Sequence, residues 1–172
     1  MLKMAKKKSA KKIASTPVVV YKAHTDGSAL NNPGPGGYGA VVRCGDLEVT
    51  LSKGYFLTTN NRMEIMSVIA VLEEFGPEQH FEIYSDSQYT IDGATKWTKG
   101  WIRNNWIAWK TGQAIKNQDL WKILHELLKV NDVKFFKVKA HSGIPDNELA
   151  DKLAKEAAGS PTTHDSEYSG IS

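Results

Sequence analysis

Two aspartates follow strand-like runs in similar local sequences. Asp26 lies in residues 25–28 (TDGS), and Asp86 lies in residues 84–87 (YSDS). A single aspartate at such a position is often only a turn residue that bonds its own backbone. If the two strands are neighbours, however, both carboxylates lie at one edge of a sheet, where two like charges require a cation. The pair therefore indicates a metal site.

Two further acidic residues are candidate ligands. Glu64 opens an apolar run, residues 65–72, which must be buried as a helix and brings Glu64 toward the core. The alternative is a carboxylate that only stabilises the first helical turn through the helix dipole. Asp151 lies on the last predicted helix, where Lys155 four residues later offers an ordinary surface ion pair. Beside Asp26 and Asp86, both become candidate metal ligands.

A site made of carboxylates favours a hard divalent cation. Cys44 is the only cysteine, which excludes an intramolecular disulfide and a zinc site built on cysteines. Oxygen ligands favour Mg²⁺, with Mn²⁺ possible. Two such ions about 4 Å apart activate a water and stabilise the leaving 3′ oxygen of a phosphodiester. The predicted reaction is phosphodiester hydrolysis, without an organic cofactor.

A histidine stands close to these acids in the sequence. His141 lies in residues 139–143 (KAHSG), between a predicted strand and the helix that carries Asp151. A loop histidine is often only a polar turn residue, but its pKa range also suits proton transfer. Its position before Asp151 makes it a candidate catalytic residue.

One α/β domain over residues 17–158 is predicted to position these side chains. β-Branched and aromatic runs predict strands at 18–21, 38–43, 47–56, 81–85 and 133–138, the first of them buried on both faces. The second and third suggest an antiparallel meander. Helices are predicted at 63–75, 87–97 and 119–128 and from residue 145 onward. This order of elements predicts a mixed sheet covered by helices.

The two ends of the chain differ from the middle. Residues 1–16 are predicted to form a flexible lysine-rich arm, and residues 159–172 a C-terminal tail. Residues 1–25 hold seven lysines and no acidic residue, within a net charge of +3, which favours a polyanionic partner; a weak targeting signal is the alternative. No apolar run approaches the roughly 18 residues of a membrane helix, so we expect a soluble, cytoplasmic protein. We also expect a monomer.

Several segments, in this order, resemble type 1 ribonuclease H, the bacterial kind often called ribonuclease HI. The resemblance covers roughly residues 18–158. It is carried by residues 25–28, 31–39, 58–64, 85–89, 116–121 and 141–151. It implies a ribonuclease H-like fold, in which a five-stranded mixed β-sheet is flanked by α-helices on both sides.

The resemblance also implies the site and the substrate. The metal ligands are Asp26, Glu64, Asp86 and Asp151, and His141 serves proton transfer or product release. The substrate is an RNA-DNA hybrid duplex, whose RNA strand is cut largely without regard to sequence to leave 5′-phosphate and 3′-hydroxyl ends. Polar side chains that reach 2′-hydroxyls and base edges across a wide minor groove suit such cutting. The implied substrate contacts are Asn32, Thr59, Asn60, Asn61, Gln88, Trp97 and Asn117, with Thr59 and Asn117 near a DNA phosphate.

One segment departs from the family pattern. Residues 99–110 resemble the basic protrusion of bacterial members, but apolar or neutral residues stand where more cations are expected, at Ile102, Asn104, Ile107 and Ala108. We expect a weaker affinity for the substrate as a result. The tryptophans of this region serve either helix packing or stacking on nucleic acid. We expect Trp97 and Trp101 to contact nucleic acid and Trp121 to lie in the core.

Two other classes of function are compatible with parts of the pattern. A transposase, an integrase or a Holliday-junction resolvase would cut DNA with similar carboxylates on the same kind of fold. The substrate-contact motifs and His141 argue against these enzymes. A noncatalytic nucleic-acid-binding module would be expected to lack one of the carboxylates, and all four are present.

Overall fold

A computed structural model of the chain describes residues 16–168 and residue 170. The predicted arm therefore lies outside the described residues except for Thr16. The strands are β1 Val20–Ala29, β2 Gly34–Cys44, β3 Leu47–Thr58, β4 His80–Ser85 and β5 Asp132–Lys137. The helices are α1 Asn60–Phe75, α2 Gln88–Asp92, a π-helical turn Gly93–Trp97, α3 Thr98–Arg103, α4 Gln118–Lys129 and α5 Pro145–Gly159.

The five strands form one sheet in the order β3-β2-β1-β4-β5. β1, β2 and β3 pair antiparallel, whereas β4 runs parallel to β1 and β5 parallel to β4. The predicted mixed sheet, including its antiparallel meander, is confirmed. The carboxyl end of β4 lies beside the middle of β1, since Ser85, the last residue of β4, pairs with Thr25.

The first strand begins later than its sequence predicts. The run 18–21 was expected to be buried on both faces, but β1 starts at Val20, and Val18 and Val19 are 64% and 55% exposed. This prediction was wrong because β-branched residues favour extended backbone whether or not a neighbouring strand covers them. The paired part of β1 continues to Ala29, so that Asp26 lies inside the strand.

Helices cover the two faces of the sheet. On one face α1 packs its apolar residues, among them Ile65, Val68 and Leu72, against β1 and β2 to form the main core, to which β4 also contributes. On the other face α5 packs its alanines onto Gly37 and Gly39 of β2, where a larger side chain would collide with the helix backbone. Small residues on both elements allow this close approach. The predicted flanking of the sheet by helices is confirmed.

The helix predicted to end at residue 97 continues to Arg103. The turn at Gly93–Trp97 is π-helical and so contains one residue more than an α-helical turn. The Thr98 hydroxyl donates a 2.6 Å hydrogen bond to the Gly93 carbonyl. Because this extra residue shifts the apolar pattern, residues 98–103 lack the regular 3.6-residue period from which a helix is predicted. Gly93 at the turn lies against the indole of Trp121, with no room for a side chain.

The C-terminal segment, residues 160–168, packs onto the domain. The Phe56 amide donates to the Thr163 carbonyl at 2.9 Å, and the Gly54 carbonyl accepts from Thr162 and Thr163. Residues 159–172 were predicted to form a tail outside the core. Its polar composition misleads because the contacts are backbone hydrogen bonds and ion pairs, which apolar patterns do not reveal. No helix among the described residues is both long and apolar enough to cross a membrane.

Candidate active site

Three carboxylates from three elements converge where β4 ends beside β1. Asp26 comes from β1, Asp86 follows the parallel neighbour β4, and Glu64 comes from the first turns of α1. One carboxylate oxygen from each lies within 4.8 Å of the others. Gly27 permits this arrangement, since a Cβ there would collide with the backbone of Met63 and Glu64. The spacing suits a shared cation.

The electrostatics of this cluster favour a cation as well. Burial, together with the charge of Asp86, raises the pKa of Asp26 from 3.8 to about 7. Burial and the charges of Asp26 and Asp86 likewise raise the pKa of Glu64 well above its usual value. The Glu64 Oε2 atom is buried and has no hydrogen-bond partner among the residues that the structure describes. An unpartnered buried oxygen among three acids fits a divalent metal ion.

Asp151 lies beside this cluster but outside the set of mutually close oxygens. Its carboxylate accepts a 2.8 Å hydrogen bond from Lys155 one turn later on α5, the surface pair that the sequence offered as an alternative. Burial acts to raise the pKa of Asp151, but Lys155 and the neighbouring Asp26 more than offset it, and the pKa is lowered. Asp151 is therefore an available anion next to Asp26, and its role as a ligand stays a prediction.

His141 lies in the exposed loop between β5 and α5. Its backbone is in the left-handed region, with φ of 52°. Its positive charge, when present, contributes to lowering the pKa of Asp151. The loop thus places an exposed imidazole on the same side of the site as Asp151, while its part in proton transfer stays a prediction.

Polar side chains surround the beginning of α1. Thr59 caps the helix by accepting a 3.2 Å hydrogen bond from the Arg62 amide. The Asn60 Oδ1 atom accepts from the Ala29 amide at 2.5 Å, and the Asn60 amide donates to Asn32 Oδ1 at 3.0 Å. These bonds tie the helix start to the end of β1. The predicted contacts Asn32, Thr59 and Asn60 therefore lie together at the start of α1, the helix that carries Glu64.

The other predicted polar contacts are less constrained or lie farther along the chain. Asn61 is exposed, and Gln88 at the start of α2 donates a 2.8 Å hydrogen bond to Asp92. Asn117 has a left-handed backbone, with φ of 62°, and donates a 3.0 Å hydrogen bond to the Tyr89 hydroxyl. The contacts of these residues with a substrate stay predictions.

The tryptophans differ in solvent exposure, from a buried core residue to exposed surface residues. Trp121 is 1% exposed, as predicted, and its ring lies 5.4 Å from that of the partly buried Trp101. The Trp97 ring lies 5.8 Å from that of Trp101, tilted by 54° to it, and Trp97 is 39% exposed. Trp101 has the rings of Trp97, Trp106 and Trp121 within 5.4 to 6.1 Å of its own. Trp97 has the more accessible face, and Trp109, which was not assigned a contact, is the most exposed at 87%.

A buried arginine that was not among the predicted site residues joins several of these groups. Arg62 on α1 is 2% exposed and binds Asp119 of α4 and Asp165 of the C-terminal segment. Its Nη1 atom also lies 3.4 Å from Asn117 Oδ1. One feature of the sequence could have indicated a buried Arg62, namely that this charged residue stands at the start of a helix that is apolar on nearly every side. Its partners are too distant in the sequence to be inferred.

The fold and the site together define an α/β protein with a candidate divalent-metal centre built from carboxylates. Comparison with known proteins agrees. The RNase H family model matches residues 17–159. A ribonuclease H of Edwardsiella ictaluri is 48% identical over 146 residues, which are 84% of this chain and 93% of the relative. A ribonuclease HI of Haemophilus influenzae is 49% identical over 144 residues, with the same coverage.

A solved structure is similar as well. The crystal structure of LC9-RNase H1, described as a type 1 RNase H with the type 2 active-site motif, has a TM-score of 0.76 and 29% identity. The alignment covers 87% of this chain and 76% of that one. The chain therefore belongs to the RNase H family, and it is an enzyme of the type 1 bacterial kind.

Proposed function

We propose that this chain hydrolyses the RNA strand of RNA-DNA hybrids by two-metal-ion catalysis, largely independent of sequence, leaving 5′-phosphate and 3′-hydroxyl ends. The observation that carries the proposal is the convergence of Asp26, Glu64 and Asp86, with oxygens within 4.8 Å, in a member of the RNase H family. The relatives bear the names ribonuclease H and ribonuclease HI, which supports the hybrid as substrate.

The chain's own residues have distinct parts in this proposal. Asp26, Glu64 and Asp86 hold the cations, Mg²⁺ or alternatively Mn²⁺, and Asp151 completes the set beside Asp26. Bound divalent ions supply activation of water and neutralise charge on the scissile phosphate and the leaving oxygen. His141 exchanges protons from its exposed loop next to Asp151. The duplex is held by the side chains of Asn32, Thr59, Asn60, Asn61, Gln88, Trp97, Trp101 and Asn117.

The remaining expectations belong to the same proposal. The enzyme acts as a cytoplasmic monomer and needs no organic cofactor. The lysine-rich residues 1–16 add a sequence-independent attraction to the phosphate backbone, since neutralising phosphates releases counterions. That attraction compensates for the sparse cations of residues 99–110.

The test compares matched duplexes of the same sequence. Purified protein is incubated with RNA-DNA, RNA-RNA, DNA-DNA and single-stranded RNA in Mg²⁺, Mn²⁺ or EDTA, and the end groups of the products are identified. We expect cutting of the hybrid alone, only with metal, and its loss in Asp26→Asn and Asp86→Asn. Asp46→Asn, which alters an exposed acid in the β2–β3 turn, serves as the matched control.

Two results would overturn the proposal. Equal cutting of duplex DNA would instead indicate a DNA nuclease or resolvase on this fold. Hybrid cleavage that survives Asp86→Asn would show that the carboxylate cluster does not perform the chemistry. Calorimetric titration of Mg²⁺ into the two aspartate variants measures the site separately from activity, and weakened binding is expected in both.

A further inference from the structure

All five N–H groups of the Arg62 guanidinium are engaged in the interior. Nε and Nη2 donate to the two oxygens of Asp165 at 2.7 and 3.0 Å. Nη1 and Nη2 donate to the two oxygens of Asp119 at 2.9 and 2.7 Å. The remaining donor of Nη1 faces Asn117 Oδ1 at 3.4 Å. Such a fully satisfied, planar contact fixes the guanidinium in one orientation.

Asp165 is the most buried of the acidic partners. Its side chain is 5% exposed, against 29% for Asp119, and it comes from the C-terminal segment beyond the region that the family model matches. Its Oδ2 atom also accepts a 2.8 Å hydrogen bond from the Thr58 hydroxyl. Asp165 therefore holds the residue before the α1 cap and the arginine in the first turn of α1 at the same time.

Two of the proposed contacts to the DNA strand adjoin this network. Thr59 follows Thr58 directly and caps α1, and Asn117 faces Arg62 from the residue before α4. Neither Thr59 nor Asn117 lies in the same element as Asp165, yet both are linked to it through one intermediate residue. The C-terminal segment thus joins two loops that are 58 residues apart, from residue 59 to residue 117.

We propose that Asp165 is a positioning residue for the DNA strand of the hybrid, acting through Thr58 and Arg62 on Thr59 and Asn117. This inference rests on the proposed function. Without the Asp165 carboxylate, Nε and one N–H of Nη2 lose their acceptor, and a buried cation keeps one anion in place of two. The guanidinium then shifts toward Asp119, which releases both Asn117 and the helix cap.

The test measures hybrid binding separately from chemistry. Asp165→Ala and the shape-conserving Asp165→Asn are compared with Asp132→Asn, a matched control that removes an exposed acid paired with His80. We expect the Asp165 variants to raise the KM for the hybrid about tenfold, as the loss of a charge-assisted hydrogen bond predicts, with kcat unchanged. Assays are run well below the melting temperature of each variant.

A second measurement separates positioning from general destabilisation. Hybrids with a single neutral methylphosphonate, placed in turn along the DNA strand, are bound to each variant in the absence of cleavage. At one position the modification should weaken binding by wild type but not by Asp165→Asn, because the variant no longer makes the phosphate contact that the modification removes. A purely structural Asp165 would lower the melting temperature and leave KM and the methylphosphonate profile unchanged, which overturns the proposal. Wild type that fails to cut hybrids contradicts the proposed function instead.

Discussion

Gly27 on β1 lies directly against the backbone amide of Glu64 on α1, with no space between them for a side chain. This contact brings a helix carboxylate into reach of the two strand carboxylates, since Asp26 precedes Gly27 on the same strand. A close approach of backbone to backbone thus sets the geometry of the candidate metal centre.

Gly27→Ala should therefore disable the site. The added methyl group would meet the backbone of Met63 and Glu64, and overpacking of this kind costs typically about 1–3 kcal/mol. We expect a lower melting temperature and a large loss of kcat with Mg²⁺. Gly100→Ala is the control, because no atom of the described residues outside the adjoining backbone of its own helix and its two chain neighbours lies within 4 Å of its Cβ position. It should stabilise α3 by up to about 1 kcal/mol. Equal behaviour of the two variants would refute the steric argument.

The carboxylate cluster should destabilise the protein when no metal is present. The pKa of Asp26 is raised from 3.8 to about 7, so the native state holds a proton that the unfolded state releases between these pH values. The free energy of unfolding in EDTA should then fall as pH rises from about 4 to 7 and level off above. Asp26→Asn should flatten this fall, and Mg²⁺ should reverse it in wild type. Chemical denaturation at several pH values measures the effect, and identical curves for wild type and Asp26→Asn would contradict it.

The parts of this site that the sequence predicted are those with a local signal. Asp26 and Asp86 were found because each follows a strand-like run, and the parallel pairing of Thr25 with Ser85 brings them together. The partnership of Arg62 with Asp165 could not be found, since 103 residues separate them and neither local sequence shows a regular pattern. Ion pairs between residues far apart in the sequence do not affect the periodic pattern of apolar residues.

The π-helical turn illustrates a second limit. The sequence predicted the helix that begins after Asp86 but ended it at Trp97, where the extra residue of the turn breaks the 3.6-residue period. The conformation of this turn depends on packing against Trp121, because Gly93 lies against that indole. Tertiary contact of this kind overrides local pattern, and a single sequence does not reveal it.

Exposed and buried tryptophans should respond differently to truncation. Trp97→Ala removes an indole that is 39% exposed, and we expect it to raise the KM for the hybrid about five- to a hundredfold, the range of one lost stacking contact, with kcat unchanged. Trp121→Ala removes a core indole and should instead cost about 3–5 kcal/mol of stability. Steady-state kinetics and thermal unfolding separate the two effects. An unchanged KM in Trp97→Ala would assign that residue to packing alone.

Deletion of residues 1–16 should weaken substrate binding through charge alone. The arm holds six of the seven lysines in residues 1–25 and no acidic residue. Each lysine that neutralises a phosphate releases counterions, so the deletion should raise the hybrid KM and flatten its dependence on salt concentration. Replacing the same six lysines by glutamine keeps the length of the arm and should have an equal effect. The KM is measured from low to physiological salt. If both variants keep the salt dependence of wild type, the arm does not contact the nucleic acid, and the affinity must come from the folded domain.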